Sequence, residues 1–378
     1  MTMASTTEKI IAMDVWQVSM PVTSQRDHGI GSVANAIDAV IVRLTSESGV
    51  HGFGEASPWV VFTGTAENSF SALHRYLRPV VIGSAIGDIA GTMEIARKSI
   101  VNATEALAAL ETALLDLAGK CFNLPVWALL GGKCRDAIPL SVSLANPDFD
   151  QDIELLQTLR DDKVNIVKLK TGTCGHAFDL MRLEILRADF PEFDVRVDYN
   201  QGMEPTDALR QLKDIEAFAV TFIEQPVARQ HFGVMANLRA NLDTPLMADE
   251  SVFSANDMLR AVKEHICDCV SVKIMKSGGL THSKTISEIA AAAGMASYGG
   301  DMFETGIAHL AGTHMIAASP NISLGCEFYQ ASYYLEQDLL AEPFPIKDGK
   351  VQVPETAGLG IEVDMEKISH FAVSHGKE

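Results

Sequence analysis

Five short runs end in side chains able to hold a metal ion or move a proton. They are Val164-Asn-Ile-Val-Lys168-Leu-Lys170, Val195-Arg-Val-Asp198-Tyr-Asn200, Thr221-Phe-Ile-Glu224-Gln-Pro226, Leu246-Met-Ala-Asp249-Glu250-Ser251 and Val270-Ser-Val-Lys273. Each is rich in the aliphatic residues of a buried strand. Alternation along a strand puts Lys168 and Lys170 on one face, with Val167 and Leu169 on the other; it pairs Asp198 with Asn200 in the same way. Three acids gathered away from water repel one another and take up protons unless a cation neutralises them. All-oxygen ligands select a hard divalent ion, Mg²⁺ or Mn²⁺. A lysine beside such an ion is disfavoured when charged, so its pKa is expected to fall toward the range of acid–base catalysis. Singly, an acid at a strand end is more often a helix cap and a lysine a solvated tip. Five such endings in consecutive order favour the catalytic reading.

These residues meet only if their strands run parallel and close on one another. β-rich runs recur at Ile138–Leu144, Val164–Lys170, Val195–Asn200, Phe218–Glu224, Pro245–Asp249, Cys269–Ile274, Ala296–Tyr298 and Ile322–Gly325. Amphipathic helical stretches lie between most of them, as at Asp150–Asp161, Ala177–Ala188, Pro205–Ile215 and Ala255–Glu264. Eight strand–helix units predict a (β/α)8 barrel, whose chemistry sits at the C-terminal strand ends. A doubly wound sheet rarely needs eight evenly spaced units. The lysines of the second and sixth strands then stand on opposite sides of the barrel mouth.

Before the barrel, Ile10–Val22, Asp38–Arg43 and Val50–Glu55 read as strands, with a turn at Ser46-Glu47-Ser48-Gly49. Helical patterns follow from Thr65 to Val81 and from Thr92 to about Asn123, and Leu129-Leu130-Gly131-Gly132 ends the section. The expected fold is α/β: a modified (β/α)8 TIM-type barrel over 133–342 with an N-terminal α+β capping domain over 1–132. The tail, 343–378, is expected to pack back on the cap and complete it.

Composition bounds the partners. Among 378 residues, 49 Asp+Glu against 30 Lys+Arg give a formal charge of −19, a poor match for nucleic acid or an anionic membrane. With 47% apolar and 21% charged residues the chain has the balance of a folded protein, not a disordered one. No apolar run approaches the ~20 residues of a membrane span, and Met1–Lys9 lacks a signal-peptide pattern. The six scattered cysteines read as reduced thiols of a cytoplasmic protein. His265-Ile-Cys267-Asp-Cys269 lies in a β-like run with no second ligand pair, so it reads as strand residues and not a zinc site. Gly29-Ile-Gly31-Ser-Val-Ala34 lacks the strand–turn–helix context of a dinucleotide fingerprint.

The constellation resembles the enolase superfamily, and within it the muconate-lactonizing-enzyme subgroup. The match rests on Lys168-x-Lys170, Asp198-x-Asn200, Glu224-Gln-Pro226, Asp249-Glu250-Ser251 and Lys273 followed by Gly278-Gly279, and it covers essentially the whole chain. The resemblance implies that Asp198, Glu224 and Asp249 bind Mg²⁺ or Mn²⁺, with Asn200 and Glu250 supporting them from behind. It implies that Lys170 and Lys273 are the two acid/bases, with Lys168 tuning Lys170. A small carboxylate substrate and a homo-oligomer are expected. Lysines on both faces allow racemisation, epimerisation, syn elimination or cycloisomerisation. Tyr298–Gly306 and Gly325–Phe328 are most similar to muconate cycloisomerase; where dipeptide epimerases usually carry Asp-x-Asp, this chain has Glu327-Phe328-Tyr329. Trp59 and Phe62, on a cap loop, and Glu304 and Glu327, at the last strands, are the expected substrate contacts. The leading expectation is a muconate-type cycloisomerase working through an enolate. The alternatives are an N-acyl amino acid racemase, a dipeptide epimerase or a hydroxyproline-type dehydratase or epimerase. A metal-free Schiff-base aldolase is the rival of different mechanism.

Overall fold

In the barrel strands, alternate residues are aliphatic, and these are the ones buried against the helices: Val167 and Leu169, Val195 and Val197, Leu246 and Ala248, Val270 and Val272. Their neighbours in the chain must therefore point inward. Phe222, Met247, Cys269 and Tyr298 form a separate cluster that fills the barrel axis. The Arg196 guanidinium stacks between two of these rings, 5.0 Å from Phe222 and 5.1 Å from Tyr298. The same parity brings Lys168, Lys170, Asp198, Glu224 and Lys273 to the inner face.

The computed structural model describes residues 5–376; the ends of the expected cap and tail, 1–4 and 377–378, lie outside it. Eight parallel strands follow in chain order: Ser141–Leu144, Ile166–Lys170, Asp194–Asp198, Ile223–Glu224, Leu246–Ala248, Cys269–Val272, Ala296–Gly299 and Ile322–Cys326. A single bridge between Leu140 and Cys326 brings the last strand against the first, so the barrel is nearly closed. The fourth strand is much shorter than the run Phe218–Glu224. Ala219 adopts a left-handed φ of 51°, and the carbonyls of Phe218 and Ala219 accept from the Arg187 guanidinium at 2.7 and 3.0 Å instead of joining the ladder.

In the cap, a four-stranded antiparallel sheet has the order Ala372–Gly376, Ile10–Pro21, Ala36–Ser46, His51–Ala56. Helix Thr104–Phe122 packs so closely on it that a Cβ at Gly54 would stand 2.0 Å from the Ala109 carbonyl oxygen. The helical stretch expected from Thr92 to Asn123 is two helices, Ile89–Ser99 and Thr104–Phe122, broken at left-handed Asn102 (φ 55°). A small hairpin, Arg26–His28 with Gly31–Val33, was not expected as strand. The tail divides its contacts. Ala372–Gly376 joins the cap sheet, but Lys350–Gln352 pairs with Ala137–Pro139 just ahead of the first barrel strand. Among the described residues, no helix is long and apolar enough to cross a membrane.

Buried acids of the cap bind the barrel through its helix N-termini. Glu55, fully buried, accepts from Thr305 N (2.7 Å), Thr305 Oγ1 (2.6 Å) and Ala308 N (2.9 Å) at the start of helix Gly306–Ala317, and from Ser57 Oγ (2.6 Å). Glu111 accepts from Thr281 N at 3.1 Å in the first turn of helix Leu280–Ala292. Its carboxylate lies where a side chain on Gly279 would be, 2.0 Å from the would-be Cβ, so this position of the Gly278-Gly279 pair requires glycine. Glu55→Ala orphans the buried donors at the seam, and a loss of about 3 kcal/mol of stability is expected. Urea unfolding measures it; a loss under about 1 kcal/mol would mean that Glu55 is not what joins cap to barrel.

Candidate active site

Inward parity delivers the predicted lysines and acids to one buried cluster at the C-terminal strand ends. Lys168 Nζ, on the second strand, lies 2.9 Å from Glu224 Oε2, 3.4 Å from Asp198 Oδ2 and 2.6 Å from Glu327 Oε2. Lys170 Nζ donates to Asp198 Oδ2 at 2.6 Å and to Asn200 Oδ1 at 3.2 Å. Asn200 Nδ2 donates to Glu250 Oε1 at 3.2 Å, tying the ends of the third and fifth strands together. Across the mouth, Lys273 Nζ is 2.7 Å from Asp249 Oδ2, and Lys276 Nζ is 2.6 Å from Asp249 Oδ1. Five buried carboxylates thus face four buried lysines.

The backbone at these ends is held in an unusual shape. Asn200 (φ 40°), Gln201 (φ 67°) and Gln225 (φ 33°) all take left-handed conformations without being glycine. Such positions are costly and persist where surrounding contacts enforce them. Here Gln225 Oε1 accepts from the backbone of both Asp249 (3.0 Å) and Ser251 (3.1 Å).

Electrostatics follow from the pairing. Burial opposes charge on Lys168, but Glu224, Glu327 and Asp198 outweigh it and hold the ammonium well above the usual lysine range. Lys273 is likewise raised, as Asp249 and Glu224 overcome its desolvation. Among the protein's own groups the closest neighbours of these two lysines are carboxylates, which favour the ammonium; the expected fall is that of a lysine beside a bound dication. Burial, with repulsion from Asp198 and Asp249, lifts Glu224 to about 7 against the pull of Lys168. Burial and the Asp249 and Asp198 charges lift Glu250 to about 8. Asp198 moves the other way, to about 2, since Lys170 and Lys168 outweigh its burial.

As their side chains stand, Asp198, Glu224 and Asp249 do not close into one coordination sphere; among the described residues no group of acids, histidines or cysteines does. Asp198 and Glu224 meet on the Lys168 ammonium, whereas Asp249 is drawn to Lys273 and Lys276. The donor set nonetheless fits a hard dication. All three carboxylates are buried, and Glu224 Oε1 and the nearby Glu250 Oε2 accept no hydrogen bond, while the Asp249 oxygens face only the Lys273 and Lys276 ammonium groups.

Above this floor lies a cavity roofed by the cap. Lys170 and Lys273 both line it, with Asn200, Ser143 and Glu327 beside them. Trp59 and Phe62 form part of its apolar wall, with His28 and Phe303. Trp59 meets His28 and Phe303 edge-on, each with centroids 5.2 Å apart. Phe62 presents its face to the Lys273 ammonium, 4.8 Å from the ring centroid. Glu304 is not part of the lining. Its Oε1 accepts from Met302 N at 3.2 Å, which folds the side chain back into the wall beside His309. A larger cleft of about 840 Å³ lies between cap and tail, away from the strand ends.

Lys276, Asp301 and His28 were not anticipated. Lys276 was legible: it follows Lys273 by three residues, and helix Ile274–Ser277 turns both toward Asp249. Asp301 stands in the loop after the seventh strand, where alternation no longer says which way a side chain points. His28 reaches the cavity from the cap hairpin, within the loop around Arg26–Ala34 on which the resemblance implies that specificity depends, although nothing local singles out this residue.

Comparison with known proteins agrees with this architecture. The mandelate racemase / muconate lactonizing enzyme N-terminal domain matches residues 7–131, and the enolase C-terminal domain-like family matches residues 151–367. Muconate cycloisomerase 1 of Acinetobacter baylyi is 32% identical over 338 residues, covering 88% of this chain and 91% of that protein. The crystal structure of a muconate cycloisomerase from Azorhizobium caulinodans is 42% identical with a TM-score of 0.85, covering 97% of this chain and 99% of that one. An N-succinyl Arg/Lys racemase from Bacillus cereus is 27% identical with a TM-score of 0.91, covering 97% and 99%. With both domains matched over most of their length and the barrel and cap in place, the chain belongs to the mandelate racemase / muconate lactonizing enzyme family of the enolase superfamily, and it is an enzyme of the isomerase class.

Proposed function

We propose that the chain is a muconate cycloisomerase-type enzyme that makes or breaks a bond α to a substrate carboxylate, with Lys170 and Lys273 as acid and base. The observation that carries this reading is that both lysines, from strands on opposite sides of the barrel, line one cavity above a shared floor of acids. A hydrogen α to a carboxylate is very weakly acidic, so its removal needs positive charge where the enolate forms. Lysine ammonium groups at the cavity supply part of it, and each can deliver one proton. In a cycloisomerisation, one substrate carboxylate oxygen bonds to an alkene carbon. The electron pair moves to the carbon α to the other carboxylate, and a lysine ammonium protonates that carbon. Asp198, Glu224 and Asp249 would hold Mg²⁺ or Mn²⁺, which when bound supplies further charge against the substrate carboxylate. Lys168, paired with Glu224, Asp198 and Glu327, holds these three acids in place and opposes the effect of burial on them.

Racemisation is the second reading, and the racemase among the similar structures favours it. One lysine then removes the α-proton and the other returns one on the opposite face. Both readings share the proton transfer, so the test follows it directly. In D₂O with Mg²⁺, NMR is expected to detect deuterium α to the carboxylate of cis,cis-muconate products or of N-acyl amino acids. A panel of small carboxylates in which no member exchanges would refute the proposal.

A further inference from the structure

The cavity's charges are unevenly answered. Its lining contains two cations, Lys170 and Lys273, and two carboxylates, Glu327 and Asp301. Glu327 is held by Lys168 at 2.6 Å and by the Ser143 hydroxyl. Asp301, 7% exposed, is hydrogen-bonded by the Gln330 side chain, but it has no lysine or arginine within ion-pair distance among the described residues, and its Oδ2 accepts no hydrogen bond. Burial, with the Glu327 charge, raises its pKa well above the usual carboxylate range. The nearest basic group is His309 Nε2 at 3.8 Å. That ring is buried and stacked on Phe328, and burial lowers its pKa to about 4, so it brings Asp301 no charge. A buried carboxylate left like this is expensive unless a ligand completes it.

The rest of the lining points to what that ligand group is. Besides the two lysines over the acid floor, the lining offers no cation for a second substrate carboxylate, which would instead face Asp301. The walls are aromatic, from Trp59, Phe62, Phe303 and Tyr329, and Phe62 already packs the Lys273 ammonium on its face. Aromatic faces beside an unanswered carboxylate make a receptor for a nitrogen cation. We propose that Asp301 binds a positively charged nitrogen on the substrate, making the preferred substrate a small ammonium-bearing carboxylate and not a dicarboxylate. The inference rests on the two-lysine proton transfer proposed above, and between the two readings given there it favours the racemase type over cycloisomerisation of a dicarboxylate.

The test uses the full-length protein with Mg²⁺ and follows both binding by calorimetry and α-proton exchange in D₂O. The probes are L-valine, L-proline, their N-methylated derivatives, the nitrogen-free isovalerate and cyclopentanecarboxylate, and cis,cis-muconate. Nitrogen-bearing members are expected to bind and exchange ahead of their nitrogen-free partners. Asp301→Asn and Asp301→Ser should weaken them on the order of 100-fold, as loss of one partner of a buried charge pair does, while leaving the nitrogen-free acids within about threefold. Equal binding of the two series, turnover of muconate ahead of the ammonium acids, or full activity of Asp301→Asn on those acids would overturn the assignment with the lysine chemistry intact. Exchange with no member of any series would overturn both. If the variants do not fold, the ranking of probes on the unaltered protein decides alone.

Discussion

Lys273→Ala is expected to slow α-proton transfer by roughly 10³-fold, within the range that a positioned acid or base contributes, and Lys170→Ala is expected to do the same. The structure gives a reason why the loss should be catalytic and not structural. Without Lys273, Asp249 keeps Lys276 at 2.6 Å, and without Lys170, Asp198 keeps Lys168 at 3.4 Å. Each acid therefore retains a cation, and thermal melting should shift little. A second readout separates the two lysines. If they serve opposite faces, then with a chiral substrate each variant should lose exchange from one enantiomer more than from the other. Retention of exchange within about tenfold by both variants, on the best substrate, would rule out the two-base assignment.

Treatment with EDTA is expected to abolish turnover, a fall of roughly 10³-fold or more, with recovery on adding Mg²⁺ or Mn²⁺. The expectation comes from the imbalance at the floor. Asp198, Glu224, Asp249, Glu250 and Glu327 outnumber Lys168, Lys170, Lys273 and Lys276, and one oxygen each of Glu224 and Glu250 takes no hydrogen bond. A readout independent of turnover is available. An ion that binds only the folded protein stabilises it by about 2.7 kcal/mol at a hundredfold excess over its dissociation constant, so Mg²⁺ should raise the melting temperature. Glu224→Gln should remove most of that rise. Undiminished turnover after complete chelation would dismiss the metal site, and trapping of substrate by borohydride would then favour Schiff-base chemistry on a lysine.

The barrel was legible because its signal is local and repeated. Alternation within a single strand is enough to separate Val167 and Leu169 from Lys168 and Lys170, whatever the rest of the chain does. Each of the eight expected runs overlaps a barrel strand. The edges of those runs were not legible where side chains from elsewhere claim the backbone, as Arg187 claims the carbonyls of Phe218 and Ala219. The helix break at Asn102 and the hairpin at Arg26–Val33 were missed for a related reason: each rests on a few residues whose conformation is set by what packs on them.

For the site, the identities of the strand-end lysines and acids, and their common face, were determined by the sequence alone. Their partners were decided only by closure of the barrel. Asp249 turns to Lys273 and Lys276 while Asp198 and Glu224 share Lys168, so the expected single focus of three acids is two foci as the side chains stand. Tertiary structure also chose which acid of the Asp301–Glu304 loop faces the cavity, since beyond the strand no period constrains direction. It placed His28 and Trp59 over the mouth, and it brought Glu55 to Thr305, 250 residues away in sequence. The physical division is one of range. Periodicity records which side of an element is buried, over a handful of residues. Charge pairing and cavity shape depend on distances between elements, which exist only once the chain has closed on itself.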